Sequence, residues 1–94
     1  MYWPHTGEII KGRANYIMLN RHYPEGWHIE ILTVLADDNS ACIELRVPHQ
    51  RLGVSYAACF YRLAEGVVKT GTEYWVDEKA QVPPPWRERW TELP

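Results

Sequence analysis

Several things are scarce in this chain, and each scarcity removes a class of protein. Cysteine occurs twice, at Cys42 and Cys59, each inside a strand-like run and neither in a Cys-x-x-Cys or Cys/His ligand spacing. A disulfide framework and a cysteine-based metal site are therefore not expected, and the thiols read as small buried hydrophobes of a reducing compartment. Long apolar runs are missing: none approaches the roughly 20 residues needed to span a bilayer, and no charged segment followed by an apolar stretch comes after Met1. A cytoplasmic protein without a membrane partner is the expectation. Positive charge is not in excess either, since the formal net charge is -2, so nothing attracts a phosphate backbone and nucleic acid is not an expected partner.

Phenylalanine occurs once, against five Trp and six Tyr. That balance favours surfaces that are apolar but need a hydrogen bond at one end, as pockets and interfaces do. At 94 residues the chain has room for one core, and residues 1–94 read as a single domain. A domain so small buries only about two-thirds of the surface its unfolded chain exposes, so an unpaired apolar face favours association with a second copy.

Along the chain, Met1 to Pro4 is apolar and strand-like and leads through His5-Thr6-Gly7 into Glu8 to Gly12, a short hairpin. Arg13 to Arg21 carries Ala14, Ile17 and Met18 at i, i+3, i+4, with Tyr16 and Leu19 beside that stripe, which predicts one short helix stopped by Pro24 and Gly26. From Trp27 the period becomes two. Trp27, Ile29 and Ile31 alternate with His28 and Glu30, Asp37 to Ser40 supplies turn chemistry, and Ala41 to Val47 returns as a second alternating strand that Pro48 ends. His49 to Gly53 reads as a loop, Val54 to Ala64 as a long strand, Glu65-Gly66 as a tight turn and Val67 to Val76 as the last strand. Pro85 with Trp86 and Trp90 at i, i+4 predicts a closing helical turn.

The order of hairpin, short helix and four long antiparallel strands resembles the nuclear transport factor 2-like superfamily, and particular residues sharpen the likeness. Trp3-Pro4-His5-Thr6-Gly7-Glu8 with Gly12-Arg13 is similar to the opening of its SnoaL-like, polyketide cyclase-like members. Phe60-Tyr61-Arg62, Glu65-Gly66 and Glu73-Tyr74-Trp75-Val76-Asp77 are similar to their last two strands, and Pro85-Trp86-Arg87 with Trp90 completes the match. The resemblance implies an α+β fold with a curved antiparallel sheet, a cone or roll with one main helix and a short C-terminal helical turn. One or two helices that the family pattern places before Tyr2 are not found in the chain. A curved sheet has an apolar concave face that one helix is not expected to cover, so a homodimer or partner segment, with Trp86 and Trp90, is expected to complete the cover.

The resemblance also implies chemistry. It places Glu73 where the cyclases of the superfamily keep an acidic residue pointing into the cavity, and a carboxyl group in an apolar pocket can act as general acid or base. The alternative is a solvated strand glutamate, or one paired with Lys69 or Arg62. His28 and Glu30 share one strand face, as do Glu44 and Arg46 on the return strand. In a cavity these four would resemble the Asp-Arg-Asp arrangement of limonene epoxide hydrolases, and on the solvent face they would be ordinary cross-strand ion pairs. Trp3, Tyr56, Tyr61, Tyr74 and Trp75 are candidates to line a cavity or, equally, a core or interface. His5, His22 and His49 lack metal-ligand spacing, Ser40 and Ser55 lack a nucleophile setting, and no cofactor is implied. Two functions stay open: a domain that binds a small hydrophobic molecule, with isomerase-, cyclase- or hydrolase-type proton transfer through Glu73, and a non-enzymatic homodimeric interaction module.

Overall fold

The computed structural model describes residues 1–23 and 25–93. Pro24, expected to stop the helix together with Gly26, lies outside the described residues. Six strands and one helix follow in the order β1 (Tyr2–Trp3), β2 (Glu8–Ile9), α1 (Arg13–Arg21), β3 (Glu30–Ala36), β4 (Ser40–His49), β5 (Gly53–Ala64) and β6 (Val67–Asp77), with a 3-10 turn at Pro85–Arg87. They form one sheet in the order β2-β1-β6-β5-β4-β3. The fold is the α+β arrangement of a curved sheet and a single helix. Among the described residues no helix is long and apolar enough to cross a membrane.

Hairpin chemistry sets most of the pairing. Glu65 and Gly66 both adopt positive φ, 55° and 74°, the left-handed pair that a two-residue turn between right-twisting strands requires. At the β3–β4 turn the Asp37 carboxylate accepts the backbone N–H groups of Asn39 and Ser40, both at 2.8 Å. These bonds satisfy donors that the ladder cannot reach. The register shifts at Leu32 of β3, between Ile31 and Thr33, and at Lys69 of β6, opposite Arg62 and Leu63; both are bulges, which bend the strands and deepen their twist.

Three details depart from the expectations. The pairing of β1 with β6 is parallel, Tyr2 against Thr72, because no tight turn joins these two strands and forces them to run opposite ways. Pro48 does not end β4: it pairs with Val54 inside the strand. Its carbonyl accepts the His28 N–H at 3.0 Å, so its missing donor also faces the side where β3 has not yet begun, and no ladder bond is lost. The first residues of the expected β3 are likewise outside that strand, Trp27 making only an isolated bridge to His49.

The helix has the expected span but a different inward face. Tyr16 and Leu19 turn toward the sheet while Ala14, Ile17 and Met18 lie exposed. Tyr16 decides the rotation, since it carries both apolar surface and a hydroxyl that finds a buried acceptor, as described below. The buried apolar set among the described residues is small: Trp3, Ile10, Val47, Ala57 and Cys59. It sits where β1 lies beside β6 and the Tyr16 side chain of α1 reaches over the sheet to Glu73. Away from that point the sheet is bare, with Ile31, Val34 and Leu35 of β3 all more than half exposed. Trp86 and Trp90 do not cover it. They are 67% and 71% exposed, with the guanidinium of Arg87 over the Trp86 ring at 5.4 Å and that of Arg89 over Trp90 at 5.1 Å.

Candidate functional site

Successive odd positions of β6, Glu73, Trp75 and Asp77, share one face of the sheet. Across the ladder they meet Cys59, Ala57 and Ser55 of β5. Those three partners are small, so the floor between the strands is low and a cavity of about 560 Å³ stands above it. Trp3 from β1, Tyr16 and Asn20 from α1, and Tyr23, Trp27 and Ile29 from the segment after it close the sides. This volume falls within the ordinary range for small-molecule sites of about 300–1,000 Å³.

At the wall of the cavity the Glu73 carboxylate, only 3% exposed, takes hydrogen bonds from three separate elements. Trp3 Nε1 donates to Oε1 at 2.8 Å. The hydroxyls of Tyr16 and Tyr61 donate to Oε2 at 3.1 and 2.7 Å. Three donors and no competing acceptor suit an ionised carboxylate, which can only accept. Tyr16 is pushed above the usual tyrosine range, first by burial and then by the Glu73 charge. Tyr61 is pushed up by burial and by its hydrogen bond to Glu73. Both hydroxyls are therefore held as protonated donors. Cys59, fully buried beside them, has its thiol raised chiefly by burial, which leaves it inert.

Tyr61 reaches Glu73 because of what stands opposite it. Its cross-strand partner is Gly71, and a Cβ there would lie 2.7 Å from Tyr61 Cδ1 and 3.0 Å from the Met1 side chain. The bare backbone lets the ring lie down across β6 and bring its hydroxyl to the diagonal neighbour. On the far wall, His49 braces Trp27, with ring centroids 4.6 Å apart. Its Nδ1 accepts the N–H groups of Arg51 and Leu52, both at 3.0 Å, and its Nε2 lies 2.8 Å from the Glu25 carbonyl oxygen. This pattern assigns the neutral Nε2–H tautomer and makes His49 a structural residue. Near the mouth, Ser55 Oγ donates to Asp77 Oδ1 at 2.8 Å.

Of the residues singled out in the sequence, Glu73, Trp3 and Trp75 line the cavity, and Tyr61 donates to Glu73. The others do not meet there. Glu30, Arg46 and Tyr56 form one cross-strand row with Val76 on the opposite face of the sheet, and Glu44 and His28 lie on that face too. Arg46 Nη1 contacts both Glu30 oxygens at 3.0 and 3.1 Å, and Glu44 accepts from Thr33 at 2.9 Å. The register therefore gives a partly exposed ion pair in place of a cavity cluster like that of an epoxide hydrolase. Tyr16, Asn20, Tyr23, Trp27 and Asp77 line the cavity without having been singled out as site residues. Asp77 shares the strand parity of Glu73, and Tyr16, Asn20 and Tyr23 recur at i, i+4, i+7, so both signals were present. Among the described residues no group of three or more His, Cys, Asp or Glu could hold a metal ion. A second hollow of about 580 Å³ lies around Phe60, Arg62, Thr70 and Thr72, and its only acidic residue is Asp37, at the turn.

No protein-family model matches this chain, and no curated protein matches it either. Two solved structures do. The first is the crystal structure of a candidate ketosteroid isomerase from Kribbella flavida DSM 17836. It is 32% identical to this chain with a TM-score of 0.82, over 97% of this chain and 67% of that one. The second is an NTF-2 like protein of unknown function from Burkholderia xenovorans LB400, 22% identical with a TM-score of 0.70, over 98% of this chain and 70% of that one. The chain belongs to the nuclear transport factor 2-like superfamily.

Proposed function

We propose that this protein binds a small, largely apolar molecule in the aromatic cavity and transfers a proton on it through Glu73, in the manner of an isomerase. The observation that carries the reading is the buried Glu73 carboxylate at the wall of a cavity large enough for a ring system, held by Trp3, Tyr16 and Tyr61. The likeness to a candidate ketosteroid isomerase supports it. A carboxylate beside a carbon acid next to a carbonyl takes the proton, and the negative charge moves to the carbonyl oxygen. Once Glu73 is protonated it needs fewer donors, so a tyrosine hydroxyl is released to stabilise that oxygen.

The test follows proton exchange at the carbon beside the carbonyl of an apolar cyclic ketone, read by NMR in deuterated water, together with isomerisation of a β,γ-unsaturated ketosteroid to its conjugated form. Wild type is expected to catalyse at least one of these, and Glu73→Gln, shown to be folded, is expected to lose about 10²-fold or more. Unchanged catalysis in that variant overturns the role of Glu73. Binding without any catalysis in wild type reduces the protein to a binding domain.

A second reading, a homodimeric interaction module, is favoured by the opposite sheet face. Leu35, Phe60, Tyr74 and Val76 lie there, each about half exposed or more, and a patch of that kind is uncommon on a monomer. A dimer through this face leaves the cavity open, so the two readings are compatible. Sedimentation tests the second, since a monomer at all concentrations overturns the dimer.

A further inference from the structure

We propose that the cavity prefers an occupant with a positive charge: the geometry points to an apolar organic cation of the alkylated ammonium class being bound more tightly than a neutral or anionic molecule of the same shape. This rests on the reading that the cavity is a ligand site, and it adds the charge of what binds there. Five aromatic rings line it, those of Trp3, Tyr16, Tyr23, Trp27 and Trp75, and so do two carboxylates, Glu73 and Asp77. No lysine or arginine is among the lining residues; apart from the two tyrosines, the remaining titratable side chain is His5.

The partners of the two carboxylates satisfy lone pairs without cancelling charge. Glu73 is met by an indole N–H and two hydroxyls, and Asp77 by the Ser55 hydroxyl, all neutral groups. The single ion pair among the described residues, Arg46 with Glu30, lies on the other face of the sheet and cannot offset them. Low-dielectric walls around like charges focus their field on the space between, and aromatic rings add attraction for a cation that has shed its water. An ammonium bearing apolar groups meets all three features at once. A carboxylate ligand would face two like charges, and a neutral ligand would leave both without a counter-charge.

Intrinsic tryptophan fluorescence of the full chain, titrated with three probes, tests this. The probes are benzyltrimethylammonium, its uncharged isostere neopentylbenzene and the anion 4-phenylbutanoate. The cation is expected to bind at least about tenfold more tightly than the isostere, with the preference shrinking several-fold in Asp77→Asn and as salt rises. Equal or tighter binding of the isostere or the anion overturns the charge assignment while leaving the cavity as a ligand site. A cation preference untouched by both Asp77→Asn and salt overturns the electrostatic origin claimed here. Failure of all three probes to bind the folded chain overturns both this inference and the ligand-site reading beneath it.

Discussion

Replacing Tyr61 with phenylalanine removes one oxygen from the middle of the molecule and should cost a large share of its stability. The lost bond is the shortest of the three on Glu73, 2.7 Å to Oε2, and its acceptor is a charged group only 3% exposed. Hydrogen bonds to charged groups contribute about 1.5–3 kcal/mol, and Glu73 Oε2 keeps the Tyr16 hydroxyl as its donor, so about 2 kcal/mol is expected. A domain of this length has a total stability of roughly 5–14 kcal/mol. The loss should lower the melting temperature by about 8–16 °C, at 4–8 °C per kcal/mol for so small a domain. Thermal unfolding by circular dichroism and urea unfolding with an unchanged slope would measure it. A double-mutant cycle with Glu73→Gln should give a coupling of about 1–2 kcal/mol. Tyr74→Phe, on the exposed face, serves as the control and should change stability by no more than about 0.5 kcal/mol. A Tyr61→Phe protein melting within about 2 °C of wild type, or a strictly additive cycle, would refute the account of Glu73 as a tied carboxylate.

Two further outcomes follow from the same network. Tyr16 and Tyr61 keep their protons in the folded state above the ordinary tyrosine range, whereas in the unfolded chain both ionise near about pH 10. Above that pH the native state holds more protons than the unfolded one, so stability falls as pH rises. Below it the two tyrosines contribute no pH dependence. The urea midpoint should therefore decline from about pH 10 upward, and less steeply in Tyr16→Phe and in Tyr61→Phe; identical profiles would contradict the burial argument. Gly71→Ala should push the Tyr61 ring off β6, since its Cβ would meet Cδ1 at 2.7 Å, and should cost about 1–3 kcal/mol as overpacking. Combining it with Tyr61→Ala should abolish that cost in urea unfolding, and a cost that persists would place the strain elsewhere.

The local elements were legible because their signals are local. Gly12 and the aliphatic spacing bracket the helix at Arg13 to Arg21, Glu65-Gly66 names its own turn, and period-two alternation marks the long strands. Strand parity also carries the grouping of Glu73, Trp75 and Asp77 on one face, although Asp77 was not singled out from it. Pro48 was misread for a positional reason: proline ends a strand only where its absent N–H is needed, and the start of β3 on that side decides that.

The chain by itself determined most of the segments that become helix, strand and turn, the hairpins between neighbouring strands, and the aromatic stock from which a cavity can be built, since each depends on residues within a few positions of one another. Tertiary structure alone decided which side of each strand looks inward. His28, Glu30, Glu44, Arg46 and Tyr56 alternate as well as Glu73 does, yet cross-strand register sends them to the other face. Tertiary structure also turned Tyr16 inward over Ile17 and Met18 and joined Trp3, Tyr16, Tyr61 and Glu73 across up to 70 residues of sequence. A buried carboxylate needs donors wherever the fold can supply them, and only the folded sheet with its helix brings those four side chains within reach.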